Sequence, residues 1–233
     1  MAAELVYIVI PVHSRAPFDT REHLRRCVQT LCDHTNNFNI IFVDDWCDHD
    51  GSECIADLAV QFRESYVVRT MKQRWFTRAV NLGLRLVRSE WAVEANSDVV
   101  FHPGWLEELF AVRDEAMTQG KKVGLVGSVY SADEQRRWAE MRRPNYVTGH
   151  TWLLNMQALD ECAVSRGTRG WYLDETTQRN AHIFSDNEIC YRMNDLGWSP
   201  ISAFKSAVGH DASGASWGHN LGLLNMRLEE VND

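Results

Sequence analysis

Hydrophobic and polar positions follow two alternating periods through the first half of the chain. Leu5–Val12 is a continuous apolar run rich in β-branched residues and predicts a buried strand. Thr20–His34 places Leu24, Cys27, Val28 and Leu31 at helical spacing, and Asp19 with Glu22 has the spacing of a capping box at its start. Asn39–Asp45 predicts a second buried strand, and Ser52–Phe62 a short helix with Ile55, Leu58, Ala59 and Phe62 on one face. Tyr66–Arg69 predicts a third strand, Phe76–Val87 a helix with Val80, Leu84 and Val87 inward, and Trp91–Ala95 a fourth strand. Pro103 suits the first turn of a helix running to about Thr118, and Val123–Val129 predicts a fifth strand. The second half is less regular. Tyr146–Asn155 has strand character, Ser185–Leu196 reads as a helix, and the Gly-, Ser- and His-rich tail from Gly209 reads as a mobile loop.

Strand–helix alternation of this kind predicts an α/β fold, a mostly parallel sheet covered by helices on both faces. Ligands of such sheets bind beyond the carboxyl ends of the strands. Acids stand at those ends: Asp44 and Asp45 after the second strand, Asp98 just after the fourth. The 233 residues carry no internal repeat and no Pro/Gly-rich linker, which predicts a single domain.

Composition narrows the function. Apolar residues at 45% and charged residues at 24% give the ordinary globular balance and exclude disorder. No apolar run reaches the ~20 residues of a membrane span. The first residues lack the basic region of a secretion signal. Net charge is −8, from 24 basic and 32 acidic residues, which argues against a protein that coats nucleic acid. Six cysteines form no CxxC pair and predict reduced thiols and a cytoplasmic location. The nine histidines form no cluster with structural-zinc spacing.

Four segments in order carry the chemistry: VYIVIPVHS (6–14), IIFVDDWCDHDGS (40–52), EWAVEANSDVVFHPGWLEEL (90–109) and FSDNEICYRMNDLGW (184–198). Between them stand Gln73-Arg74-Trp75-Phe76 with Ala79, Asn81 and Gly83, and Gly170-Trp171-Tyr172-Leu173-Asp174-Glu175. This ordered set resembles family 2 glycosyltransferases, which have the GT-A fold, a Rossmann-like, mostly parallel sheet flanked by helices. The match runs from about residue 5 to 210. The resemblance implies a nucleotide-binding half (about 1–100), an acceptor-binding half (about 101–210) and a C-terminal tail (211–233). It implies an inverting, metal-dependent transfer of a sugar from a nucleotide sugar, with a UDP-sugar as the expected donor.

Residue roles follow from the same resemblance. Asp98 and His210 would hold Mn2+ or Mg2+, since hard cations take carboxylate oxygen and a metal offsets charge on a leaving diphosphate. Asn96 and Ser97 would line the diphosphate. Asp45 would accept a hydrogen bond from the nucleobase. Pro11 and His13 would border the base; for His13, stacking and a plain strand-end hydrogen bond both remain open. Lys72, Arg74 and Arg78 suit either phosphate contact or solvated helix charge. Asp98 read alone could equally be a turn aspartate, and His210 a surface-loop histidine, with His219 as a second choice. Asp186 would be the catalytic base, in a first helical turn that keeps a carboxylate ionised, and Glu188 would be the capping partner of Ser185.

Departures from the family pattern are visible. Trp46 and Cys47 replace Gly-Ser, Trp75 replaces a glycine, and Ser185 replaces an acid. The resemblance implies that the segment 135–146, with four arginines and two aromatics, would bind the acceptor, a solvated arginine-rich helix being the other reading, and that Gly149–Trp152 would edge the acceptor cleft. A glycan, a small molecule or a modified DNA base all fit as acceptor. No obligate protein partner is evident. Two other readings compete: a sugar-nucleotide-binding module without catalysis, and a nucleotidyltransferase that makes nucleotide sugars. The second would want a glycine-rich phosphate loop after the first strand, and His13–Asp19 contains no glycine.

Overall fold

The computed structural model describes residues 4–129, 147, 150–166, 169–173 and 185–210. The described elements, in chain order, are β1 (Val6–Val12), α1 (Arg21–His34), β2 (Phe38–Asp44), α2 (His49–Ala59), β3 (Ser65–Arg69), α3 (Trp75–Leu84), β4 (Trp91–Ala95) and β5 (Val99–Phe101). They continue with α4 (Trp105–Thr118), β6 (Val123–Val129), β7 (Thr151–Asn155), α5 (Met156–Glu161), β8 (Val164–Arg166), β9 (Arg169–Trp171), α6 (Ser185–Asp195) and β10 (Ser199–His210).

Eight strands form one sheet in the order β3-β2-β1-β4-β7-β6-β10-β5, and β8 pairs with β9 as a separate two-stranded piece. β1 runs parallel to β2 and β4, β2 to β3, and β10 to β6. β7 is antiparallel to both β4 and β6, and β5 is antiparallel to β10. The architecture is the mostly parallel α/β sheet of the GT-A fold. Alternate side chains of each strand feed two cores, because successive residues point to opposite faces. Val6, Ile8 and Ile10 pack with Leu24, Leu31 and Ile55 of α1 and α2 and with Trp105 of α4. Tyr7 and Val9 lie on the other face with Val80 and Leu84 of α3 and with Ile189 and Met193 of α6. Gly83 permits the closest of these contacts: a Cβ there would lie 2.3 Å from Val9 Cγ1.

Several boundaries differ from the sequence pattern, each for a local reason. The Asp48 carboxylate accepts the Gly51 N–H and caps α2, so the helix starts at His49 rather than Ser52. Asp19 does not cap α1; its carboxylate accepts the Arg21 N–H and binds the Arg21 guanidinium. Gly104, left-handed at φ 81°, separates Pro103 from α4, which starts at Trp105. Strand character in 146–155 is confined, among the described residues, to Thr151–Asn155. Gly209 and His210 are not loop residues: they end the 12-residue strand β10, paired with Val100 and Val99. The proposed mobile tail, 211–233, lies outside the described residues. No helix among the described residues is long and apolar enough to cross a membrane. All six cysteines are free thiols; five are buried, and Cys32, near the end of α1, is exposed.

An acid stands among the fully buried side chains of the sheet. Glu94, on β4 between Val9 and Trp152, is 0% exposed, and neither carboxyl oxygen has a hydrogen-bond partner among the described residues. Burial, aided by the nearby charge of Asp98, holds its pKa well above the ordinary 4.5. The folded state therefore keeps a proton that the unfolded chain releases above that value, and stability falls as pH rises through this window. Glu94→Gln removes the titration. Urea midpoints are expected to converge near the acid end, at about pH 5, and to favour the variant at about pH 8. Glu94→Leu, which deletes the unpartnered group, is expected to gain about 1–3 kcal/mol at neutral pH.

Candidate active site

The carboxyl edge of the parallel strands gathers the acids. β2 delivers Asp44 and Asp45, and the two residues divide the work. Asp44, 1% exposed, accepts the Cys47 N–H at 2.8 Å and the Ser52 hydroxyl at 2.6 Å, and pairs with Arg69 at 3.4 Å. It fastens the turn after β2. Asp45 is 3% exposed and turns the other way. Its Oδ1 accepts the Arg74 N–H at 2.6 Å and the Thr70 hydroxyl at 3.0 Å; its Oδ2 accepts the Trp75 N–H at 2.7 Å. Burial nonetheless pushes the Asp45 carboxyl above its ordinary range, against the lowering effect of those bonds.

The two successive N–H groups that grip Asp45 come from a right-handed and then a left-handed residue, Arg74 at φ −107° and Trp75 at φ 67°. This pair forms an anion-binding concavity of backbone N–H groups. Trp46 is also left-handed, at φ 64°. A bulky side chain in that region costs roughly 1–3 kcal/mol. Both strained tryptophans stand where the sequence pattern leads one to look for glycine, and both flank the acids. Cys47, in place of a serine, bridges β1 and β2: its sulfur accepts the Ser14 N–H at 3.2 Å and donates to the Val12 carbonyl at 3.5 Å. Burial raises that thiol's pKa to about 12, so it stays protonated.

β1 ends beside this cluster. Pro11 lies half-buried within β1, opposite Val43. His13 is half-buried, with Nδ1 at 2.7 Å from the Asp45 carbonyl oxygen. A carbonyl only accepts, so Nδ1 carries the proton and Nε2 is the free ring position. Arg15 stacks over the Trp46 ring at 3.9 Å. α3 starts at the same edge, which brings Arg74 and Arg78 there, both half-buried. Lys72 is exposed.

β4 supplies the next group. Asn96 donates its N–H to the His150 carbonyl at 3.0 Å and accepts from the Val99 N–H at 3.3 Å, closing a turn over Ser97 and Asp98. Asn96, Ser97 and Asp98 are half-buried. β1 is the one strand between β2 and β4, so two strand spacings of ~5 Å separate the Asp45 and Asp98 attachment points. His210 pairs with Val99 across the β5–β10 ladder, which places its backbone one residue from Asp98.

Asp186 reaches this edge by a different route. β10 starts beside Val123, at the amino edge, and the turn before it contains Gly197 at φ 79°. The last turn of α6 therefore lies at the amino edge. Eleven residues at 1.5 Å each, about 16 Å, carry its first turn back across the sheet to the carboxyl edge. Asp186 is in that first turn and half-buried. The Glu188 carboxylate binds Arg192 through two 2.8 Å bonds, one turn along the helix, and Arg192 also donates to the carbonyls of Cys162 and Tyr172. The side chain of Ser185, the other half of the capping reading, lies outside the described residues.

The structure thus brings Pro11, His13, Asp45, Arg74, Arg78, Asn96, Ser97, Asp98, Asp186 and the backbone of His210 to one edge. The arginine-rich segment 135–146, Gly149, Asp174, Glu175 and His219 lie outside the described residues. Asn81 has a role the sequence pattern does not state: its side chain exchanges two 2.9 Å bonds with the backbone of Leu173, fixing the residue before Asp174. Glu94 also escaped the sequence reading; a lone acid in an otherwise apolar strand was its only signal.

No group of three or more His, Cys, Asp or Glu side chains among the described residues forms a ready metal cage. Asp98 and the position of His210 fit a divalent cation that takes its remaining ligands from substrate oxygens, the usual arrangement where a cation bridges phosphates.

Comparisons with known proteins agree with this fold. Residues 7–191 match the model of glycosyl transferase family 2. Glycosyltransferase GlyG of Streptococcus pneumoniae is 24% identical over 161 residues, which cover 68% of this chain and 49% of GlyG. The chain thus spans about half the length of that relative. The mannosyltransferase PcManGT from Pyrobaculum calidifontis, solved with GDP-Man and Mn2+, superposes with a TM-score of 0.69 at 13% identity, over 98% of this chain and 64% of PcManGT. TarS of S. aureus (residues 1–349) gives 0.62 at 12% identity, over 89% of this chain and 59% of TarS. These likenesses show the fold, and the family match covers most of the sequence. The chain belongs to glycosyl transferase family 2.

Proposed function

We propose that this chain is a metal-dependent, inverting glycosyltransferase that moves a sugar from a nucleoside diphosphate sugar, a UDP-sugar, to an acceptor hydroxyl. The feature that supports this reading is strand order: Asp45 and Asp98 follow strands that leave the sheet at its carboxyl edge, and Asp186 opens the helix that runs from that edge toward the start of β10.

Asp45 and His13 serve the nucleobase. Three chain donors occupy Asp45, and Oδ2, with a single bond from Trp75, retains accepting capacity for a base N–H. Asn96, Ser97, Arg74 and Arg78 face the diphosphate. Asp98 and His210 would hold Mn2+ or Mg2+, and such a cation would offset the charge that gathers on the leaving diphosphate. Asp186 takes the proton of the acceptor hydroxyl as its oxygen attacks the anomeric carbon. The bond from that carbon to the diphosphate oxygen breaks in the same in-line displacement, which inverts the configuration. The partly positive first turn of α6 favours the ionised carboxylate this step needs. PcManGT was solved with a nucleotide sugar and Mn2+, which supports the same ligand classes here.

Two measurements test the proposal. UDP with Mn2+, at about 100 times its Kd, is expected to raise the thermal midpoint by on the order of 5–10 °C, and Asp98→Asn to abolish the metal-dependent part of that shift. No stabilisation by any nucleoside diphosphate in the presence of metal would refute the donor assignment. Asp186→Asn is expected to bind the donor as the parent does while transfer falls by about 10²–10⁴; undiminished transfer removes Asp186 from the chemistry.

A further inference from the structure

We propose that the Trp46 ring, held by Arg15, is the stacking wall for the nucleobase of the donor, and so sets donor affinity at this site. The inference rests on the nucleotide-sugar reading above and assigns to that site a residue particular to this chain.

Three observations carry it. First, Trp46 is at φ 64°, a conformation that favours glycine and disfavours a large side chain. The turn needs that conformation to aim the Cys47 N–H at Asp44, 2.8 Å away. A glycine would make the same bond without strain, so the turn does not account for the indole. Second, the core does not account for it either: Trp46 is 38% exposed. Third, the ring is held in place from outside the core. The Arg15 guanidinium lies 3.9 Å from the ring centroid, and its Nη1 is 3.5 Å from the Trp46 carbonyl. A strained, exposed but fixed aromatic is what backbone outliers at ligand sites look like.

Position and chemistry then select the occupant. Trp46 is the residue after Asp45, and Arg15 is two residues after His13, whose Nδ1 bonds the Asp45 carbonyl. The stack is therefore one residue along the chain from the acid proposed for the edge of the base, and its ring offers a flat surface for the base's face. A base lying on a preordered ring loses less freedom on binding than one that must order it. Stacking of a base on an aromatic side chain tolerates any base, so the wall contributes affinity and leaves the choice of base to the hydrogen-bonding edge.

The test compares Trp46→Gly, Trp46→Phe and the parent protein, titrated with UDP, GDP and inorganic pyrophosphate in the presence of Mn2+, with thermal midpoints measured alongside. Glycine relieves the backbone, so the Trp46→Gly midpoint is expected to match or exceed the parent's. Its affinity for UDP and GDP is expected to fall by on the order of 10–100-fold, with pyrophosphate binding unchanged and Trp46→Phe retaining most nucleotide affinity. Equal nucleotide affinity in Trp46→Gly and the parent overturns the proposal. So does a loss that is shared by pyrophosphate and accompanied by a lower midpoint, because it marks a structural role. Failure of the parent itself to bind any of the nucleotides defeats the donor reading instead, and is told apart by that result alone.

Discussion

The buried carboxylate of Asp45 is the contact on which the carboxyl edge is built. It joins the end of β2, the Thr70 hydroxyl just past β3 and the first two backbone N–H groups at the start of α3. An acid taken out of water is costly unless its lone pairs are used, and here three donors use them. In return the bond set fixes the direction in which α3 leaves the sheet. That direction decides where Arg74 and Arg78 stand, and through Asn81 it fixes the backbone at Leu173. Arg74 and the left-handed Trp75 together make the backbone concavity that meets this anion.

The other half of the edge depends on strand order. β7 runs against its neighbours between β4 and β6, and β10 follows β6 before crossing to meet β5. Its register breaks between Ala203 and Ala207, and the bulge is anchored by Ser206, whose hydroxyl lies 2.8 Å from that of Ser128 and bonds the Trp105 carbonyl at 2.9 Å. Bulges redirect a strand. This one lets a strand that begins beside β6 end beside Asp98. One continuous strand thus links β6 to the proposed cation position.

Much of this was legible in sequence because the parallel strands are buried on both faces. Runs such as Val6–Val12 and Ile40–Val43 admit few readings, and the helices between them keep one apolar stripe each. The short and paired elements were not legible. β5 has three residues, and β10 mixes exposed Phe204 and Lys205 with buried Ala203 and Ser206, so neither presents a clean period. At the site, the order of motifs located the acids, but not what binds them. Asp45 is held mostly by backbone N–H groups, which have no letter in a sequence. The glycine that would have flagged the left-handed turns is a tryptophan at both places. Asp19 illustrates the converse: capping spacing was present, and a stronger partner, Arg21, took the carboxylate instead.

The distribution of thiols has a practical side. Five of the six cysteines are buried, and Cys32 is exposed two residues before the end of α1. α1 departs from the edge where β1 ends and returns toward the edge where β2 begins, so Cys32 lies on the side of the sheet remote from Asp45 and Asp98. A maleimide dye would meet a single exposed sulfur there, one whose pKa burial and Asp33 raise, so alkaline conditions favour one-colour attachment of the native chain to a surface or a fluorophore without any engineered handle.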